Sequence, residues 1–433
     1  MSKLIEELPE GFRMTELGPL PVDWEVVRLG EVAKTIKGRK PQQLSEDLKE
    51  EFIPYLTAEY FRTKNVSKFV SKDVKNFIKV NEDDIVFIWD GSNAGDVFTG
   101  LSGALASTMI KIDPEGNINK KFLYYYLKTK FLLFNTKTTG STIPHVNKNL
   151  FYNLPVSLPP LPEQQKIASI LSTVQNAKEK TEAVINAAKD LKRSMMKHLF
   201  TYGPVSPQDA ENVPLKETEI GMVPEEWEVS TFEEISKIIT DYVANGSFAS
   251  LKENVEYKNE ENYAILLRLL DYSNHFKGPF VYITESAYNF LSKTKLKVND
   301  IILSNVGARL GTVFRVPDLN KPMSLGPNAV LIQTKFSDDF YYYYLSSDYG
   351  QKAIWSIATK TAQPKFNKTD LRNLKVPLPP FSEQQKIASI LSTIDQKIET
   401  EENVKKALED LFKTLLHNLM TAKIRVNHLE VET

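Results

Sequence analysis

The chain has no cysteine, which excludes disulfides, zinc–cysteine sites, iron–sulfur clusters and thiol catalysis. Its five histidines, His145, His198, His275, His417 and His428, never fall at metal-ligand spacing. No excess of either charge exists: 54 basic residues face 55 acidic ones. A uniformly basic nucleic-acid coat is thereby excluded, but local basic faces are not. No run approaches the length of a membrane span, and the first twenty residues lack the apolar core of a signal peptide. The expectation is a cytoplasmic protein without membrane contact. Phosphate-binding GxxxxGK[ST], GxSxG, HExxH and Asn-Pro-Pro-Tyr-type methyltransferase motifs are all missing. Gly91, Gly95, Gly100 and Gly103 form no GxGxxG fingerprint and read as turn glycines. Asp83 and Asp84 read as acids at a strand end, and only Asp84 has an aligned counterpart, Asp300.

What the chain does have is itself, twice. Glu163 to Thr173 reads EQQKIASILST, and Glu383 to Thr393 reads the same. Extended upstream, the segments 154–175 and 374–395 share sixteen of twenty-two positions. A second pair, LGPLPVDWEV at 17–26 and IGMVPEEWEV at 220–229, aligns Trp24 with Trp227. Between these markers the second copy carries seventeen extra residues. Fainter echoes lie inside: VNEDDIVFIWDGSNAGDVF at 80–98 against VNDIILSNVGARLGTVF at 298–314, and IPHVNK at 143–148 against QPKFNK at 363–368. A frame is preserved while an insert varies, which suits two different binding surfaces held in one geometry.

From Glu163 to about Phe200 there is neither proline nor glycine. Ile167, Ile170, Val174, Ala177, Thr181, Val184, Ala188, Leu191 and Met195 recur at helical steps. Ile387, Ile390, Ile394, Ile398, Glu401, Lys405, Leu408, Phe412, Leu415 and Leu419 trace the same stripe from Glu383 to about Met420. Each helix is expected to run about 38 residues, or roughly 57 Å. Two such stripes predict an antiparallel coiled coil holding similar units about a pseudo-twofold axis.

The intervening globules mix strand-like runs, Asp84 to Ile88 and Asp300 to Leu303, with aromatic helical runs, Phe122 to Leu127 and Phe340 to Leu345. The fold class is therefore α/β (mixed α+β). The expected layout is an N-terminal segment 1–19, a globule 20–156, a helix 157–203, a linker 204–222, a globule 223–376, a helix 377–422 and a tail 423–433.

Polar loops with basic residues recur at matching places. In the first globule these are Lys37, Arg39 and Lys40; Ser92 and Asn93; Lys137, Thr139, Ser141, Thr142, His145 and Lys148. In the second they are Asn305 and Arg309, then Lys360, Thr361, Gln363, Lys365 and Lys368. Lysine, serine and threonine suit phosphates, and arginine, asparagine and glutamine can read base edges, so these are candidate contacts to double-stranded DNA. Solvated loops would carry the same residue types.

The duplicated PLPPxxEQQKIA run, with a GxxPxxWxx segment before each variable region (Gly18 to Val26, Gly221 to Val229), resembles the DNA-specificity subunit of type I restriction–modification systems. The resemblance implies two target-recognition domains, each reading half of a bipartite, asymmetric site, with two long helices setting the gap. It implies docking of two methyltransferase (modification) subunits and of restriction/translocase subunits. Those partners would supply adenine-N6 methylation with S-adenosylmethionine, and cleavage with ATP and magnesium; this chain would be non-catalytic and hold no cofactor. Gln164, Gln165, Lys166, Gln384, Gln385 and Lys386, in the identical helix starts, are the candidate partner contacts; packing on their own globule is the alternative. Two other readings stay open: an adaptor that binds two proteins without reading DNA, and an enzyme whose site carries no familiar motif.

Overall fold

The computed structural model describes residues 8–140 and 142–429. The candidate Ser141, and the outermost parts of the expected N-terminal segment and tail, lie outside the described residues.

The chain forms two compact units that cut across its linear order. Unit one comprises the residues up to Glu182 and those from Asn403 onward; unit two is Ala183–Glu402. Two long helices, Leu161–Tyr202 and Phe381–Met420, each give one half to each unit. They start two residues earlier than the periodicity predicts, because Pro160 and Pro380 carbonyls accept the N–H groups of Glu163 and Gln164, and of Glu383 and Gln384. Pro162 sits in the first turn, where a missing N–H costs nothing.

In both units the helix halves run antiparallel. In unit one Lys166 Nζ donates to Asn427 O and Lys405 Nζ to Glu182 Oε1. In unit two Lys189 pairs with Glu402 and Lys192 with Asp395. The seam is phased one residue away from part of the predicted stripe. Val184, Leu191 and Ile390 are exposed, while Ile185 and Leu391 are buried. Adjacent apolar residues leave the phase ambiguous in the sequence.

Each globule has the same plan. Unit one has an antiparallel sheet in the order Ala33–Lys37, Met109–Pro114, Ile85–Ile88, Val97–Phe98. Unit two repeats it with Ser236–Asp241, Ala329–Thr334, Ile301–Ser304, Val313–Arg315. A second four-stranded sheet follows in each, built around a parallel pair: Phe52–Leu56 with Gly103–Leu105, and Ala264–Leu267 with Met323–Leu325. The central strands Ile85–Ile88 and Ile301–Ser304 are buried on both faces, as continuous apolar runs require. The aromatic runs are helices, Lys120–Lys128 and Asp338–Ser346, burying Phe122, Tyr126, Phe340 and Tyr341. The longer connection of unit two, 242–263 against 38–51, adds the helix Phe248–Asn254.

The two repeated motifs meet. Trp24, fully buried, donates its indole N–H to Glu163 Oε2 at 3.0 Å, and Trp227 donates to Glu383 Oε2 at 2.8 Å. This contact explains why tryptophan and the EQQ segment were duplicated together: a buried indole N–H needs an acceptor, and the carboxylate supplies it. The helix ends differ. Gly203 (φ +78°) closes the first long helix in the left-handed conformation that glycine adopts freely, whereas Ala422 (φ +55°) closes the second.

Candidate nucleic-acid interface

In unit one, three loops leave the first sheet and converge. Lys37 ends its strand, and Gly38 then passes so close to the neighbouring backbone that a Cβ would lie 2.1 Å from Ala106 O. Only glycine fits there. The turn 91–95 follows the buried strand Ile85–Ile88, and Asn135 clamps it by donating to Ser92 O and Ala94 O. The 137–148 loop closes on itself: Thr139 N donates to His145 O and His145 N to Thr139 O, both at 2.8 Å. It joins the turn through Gly91 N to Pro144 O at 2.8 Å.

At the junction stands Asp90. It accepts from Lys37 Nζ at 3.1 Å and lies 2.7 Å, Oδ1 to Nδ1, from His145. The structure thus joins Lys37, His145, Thr139 and the Ser92–Asn93 turn in one cluster. Ser92 and Asn93 hydrogen-bond each other at its edge. Arg39 turns away: its N–H is spent on Leu105 O, beside the second sheet, and Lys40 follows it, both side chains exposed. Lys137 and Thr142 are exposed; Lys148 Nζ lies over the Tyr152 ring, whose hydroxyl bonds Thr35 at 2.6 Å. Sequence reasoning missed Asp90 and Asn135. The signal for Asp90 was its place directly after a buried strand, where a carboxylate has a loop to hold.

Unit two repeats the backbone with other side chains. Thr359 N donates to Lys365 O at 2.9 Å, Gly307 N to Pro364 O at 2.8 Å, and Phe366 N to Asn305 O at 3.2 Å. Val306 pairs with Lys365 as Asp90 pairs with His145. Register places Asp241 against Val330 as it places Lys37 against Ile110, so an acid stands where unit one has a base. Asp241 holds Lys368 at 2.8 Å. Asn305 is turned inward, with Nδ2 reaching toward Phe366 O and Oδ1 buried, which makes it a brace of the loop and not an exposed reader. Arg309, Lys360, Thr361, Gln363 and Lys365 are exposed, and Thr361 Oγ1 donates to Gln363 O.

A second pair of equivalents differs in titration. Asp84 is buried, which alone would raise its pKa, but the Asn81 N–H, Lys120 at 2.8 Å and Lys111 at 3.2 Å hold it below the ordinary value. Asp300 is buried with Gln333 and the Lys297 N–H as partners, and burial pushes it up. Both acids cap their strand ends. Among the described residues no cluster of acids and histidines could hold a metal ion, and no helix is long and apolar enough to cross a membrane.

The six helix-start residues separate. Gln164 is fully buried; it accepts from Asn119 N at 2.7 Å and donates to Asn117 O and Pro159 O. Gln384 does the same with Ser337 N and Pro379 O. These two pack on their own globule and are closed to a partner, because their amides satisfy turns that would otherwise carry orphaned polar groups. Gln165, Gln385 and Lys386 are exposed, and Lys166 is half-buried on Asn427 O. Beside them lies an open groove in each unit. In unit one it is about 350 Å³ and includes Asn119, Gln165, Ser169 and Ser172. In unit two it is about 800 Å³ and includes Ser337, Gln385, Ser389 and Ser392.

A family model described as type I restriction modification DNA specificity domain matches the chain twice, over residues 21–189 and 224–410. The type I restriction enzyme MjaVIII specificity subunit of Methanocaldococcus jannaschii is 35% identical over 419 residues, covering 95% of each chain. The EcoBI specificity subunit of Escherichia coli is 22% identical over 386 residues, covering 84% of this chain and 77% of that protein. The crystal structure of a type I restriction–modification S subunit from M. genitalium has the same fold, with a TM-score of 0.58 at 18% identity over 92% of this chain and 96% of that one.

Proposed function

This chain belongs to the type I restriction–modification DNA specificity family, and we propose that each unit reads one half of a bipartite, asymmetric DNA site. The observation that carries this reading is the contrast at the loops. Backbone pairing around Gly91 and Gly307 is the same in both units, while the side chains mounted on it differ in charge and hydrogen-bonding capacity. Stability does not require such a contrast; two different half-sites do. Exposed cations at Lys137, Lys148, Arg309 and Lys360 belong to the loops, and Arg39 and Lys40 lie exposed beside the second sheet; all suit the phosphates, which fix register without carrying sequence. Thr139, Thr142, Gln363 and the Ser92–Asn93 turn complete the DNA-facing set, with Lys37 and Lys368 acting through the carboxylates they hold.

The grooves beside the helix starts are the docking places for two copies of one methyltransferase subunit. Gln165, Ser169 and Thr173 are exposed and identical to Gln385, Ser389 and Thr393, within the eleven-residue run that the two helices share. Exposed side chains that line a groove and are the same in both copies have no explanation in packing; a common occupant supplies one. The restriction subunit joins the same assembly, and chemistry stays with the partners and their S-adenosylmethionine, ATP and magnesium. The test is sequencing of methylated bases in the host with and without this gene. One split motif is expected, lost on deletion; an unchanged pattern refutes the reading.

A further inference from the structure

The aligned loop tips carry hydrogen-bonding groups of opposite sense. In unit one the tip residue is His145, held by two backbone bonds to Thr139. Its Nδ1 faces Asp90 Oδ1 at 2.7 Å, and Asp90 also takes Lys37 at 3.1 Å. A carboxylate only accepts, so Nδ1 carries the hydrogen, and in the neutral form of an imidazole so held Nε2 is the acceptor. The side chain is half exposed, 47%, so the acceptor reaches solvent.

In unit two the same place is taken by Lys365, held by the same backbone bond to Thr359 and by its own N–H to Thr359 Oγ1 at 3.0 Å. Asp90 is replaced by Val306, and the Lys37 position holds Asp241, whose carboxylate is engaged by Lys368. An exposed ammonium therefore stands where unit one presents an acceptor, and an ammonium only donates.

We propose that His145 and Lys365 are the paired specificity residues of the two units. His145 Nε2 accepts from the exocyclic amino group of adenine or cytosine, and Lys365 donates to N7 or O6 of guanine, both in the major groove. Asp90 is a positioning residue that selects the histidine tautomer. The proposal rests on the DNA-reading function above and adds what that function lacks: a reason for asymmetry at one matched step of the frame. The same backbone asks for a donor base in one half and an acceptor base in the other.

The test is enrichment from a randomised duplex pool by the full chain assembled with its modification subunits. The wild type is expected to enrich one split motif. His145→Lys is expected to convert a single position of one half from adenine or cytosine to guanine, by about tenfold in relative enrichment, leaving the other half unchanged. Asp90→Asn, whose amide can also donate to Nδ1, is expected to relax that same position alone. His145→Ala, a truncation at a half-exposed site, is expected to lose the preference there while strand amide exchange stays as in the wild type. An unchanged motif in His145→Lys overturns the assignment, as does a uniform loss of affinity for every sequence, which marks a phosphate contact. A wild-type assembly that enriches no motif overturns the DNA-reading function itself, and this assignment with it.

Discussion

Unit one and unit two are the same scaffold finished in two ways. Both bury a tryptophan on the first glutamate of a long helix, both buttress that helix with a buried glutamine, and both hold the loop that follows the aromatic helices through a glycine N–H. They part in how several charges are partnered. Glu163 is clasped by Arg425, which also binds Asp23 at 2.7 Å; on Glu383 the corresponding side is occupied by Gly203. Tyr125 meets Phe412 through ring contact, whereas its counterpart Tyr343 meets Lys192 and donates to Asp395 at 2.9 Å. The lesson is that backbone hydrogen bonds and apolar packing carry the frame, so charges are free to be reassigned.

That comparison breaks most visibly at the glutamates. Glu163→Gln removes the charged partner of Arg425 while leaving an amide oxygen for the indole, and is expected to destabilise unit one by about 3 kcal/mol. Glu383→Gln keeps an oxygen for the indole, has no arginine partner to lose, and is expected to cost unit two about 1 kcal/mol or less. Amide exchange of the central strands, Ile85–Ile88 and Ile301–Ser304, reads the two units separately in one sample. Equal losses would show that the clasp contributes nothing.

The strand-end acids sharpen the contrast with pH. Asp84 has a lowered pKa, so its contribution is complete above the ordinary carboxylate value and disappears as pH falls through the lowered one. Asp300 has a raised pKa, so protonation favours its folded form, and unit two gains as pH falls through the raised value. Asp84→Asn is expected to cost about 1–3 kcal/mol near neutral pH, while Asp300→Asn is neutral or stabilising and flattens the pH response of unit two. Exchange measured between pH 4 and 7 decides this; parallel responses of the two units would contradict it.

At the helix joints, Asp395→Ala is expected to cost unit two about 1 kcal/mol, and added salt to erase part of that difference. The joint at Phe412 should ignore salt. The smallest effect is at the helix ends. Ala422→Gly is expected to stabilise unit one by about 0.5–1 kcal/mol and Gly203→Ala to weaken unit two by about 1 kcal/mol, since the left-handed φ is at issue in both and a Cβ at 203 would also lie 3.2 Å from Glu383 Oε2. Thermal unfolding of the two variants, moving in opposite directions, is the check.

The long helices, the aromatic helices and the buried central strands were legible because repetition and periodicity are properties of neighbouring residues. The cluster around Asp90 was half legible. Lys37 and His145 stood out as polar letters in loops, but their common partner is distant from both in sequence. Gln164 and Gln384 stayed open between partner contact and packing on their own globule, and it is a turn of the globule, distant in sequence, that folds over each amide. Asn305, a candidate reader, turns inward instead. The seam phase at Val184 and Ile185 could not be read, because adjacent apolar residues satisfy the same period.

The Arg425 clasp has a consequence for the order in which the molecule is made. Every residue of unit two has left the ribosome's active centre once Glu402 is joined, whereas unit one still waits for the helix half that begins at Asn403 and for the guanidinium beyond it. The half translated first is thus the half finished last, and the nascent chain must shelter an open Glu163 site until its closing arginine emerges.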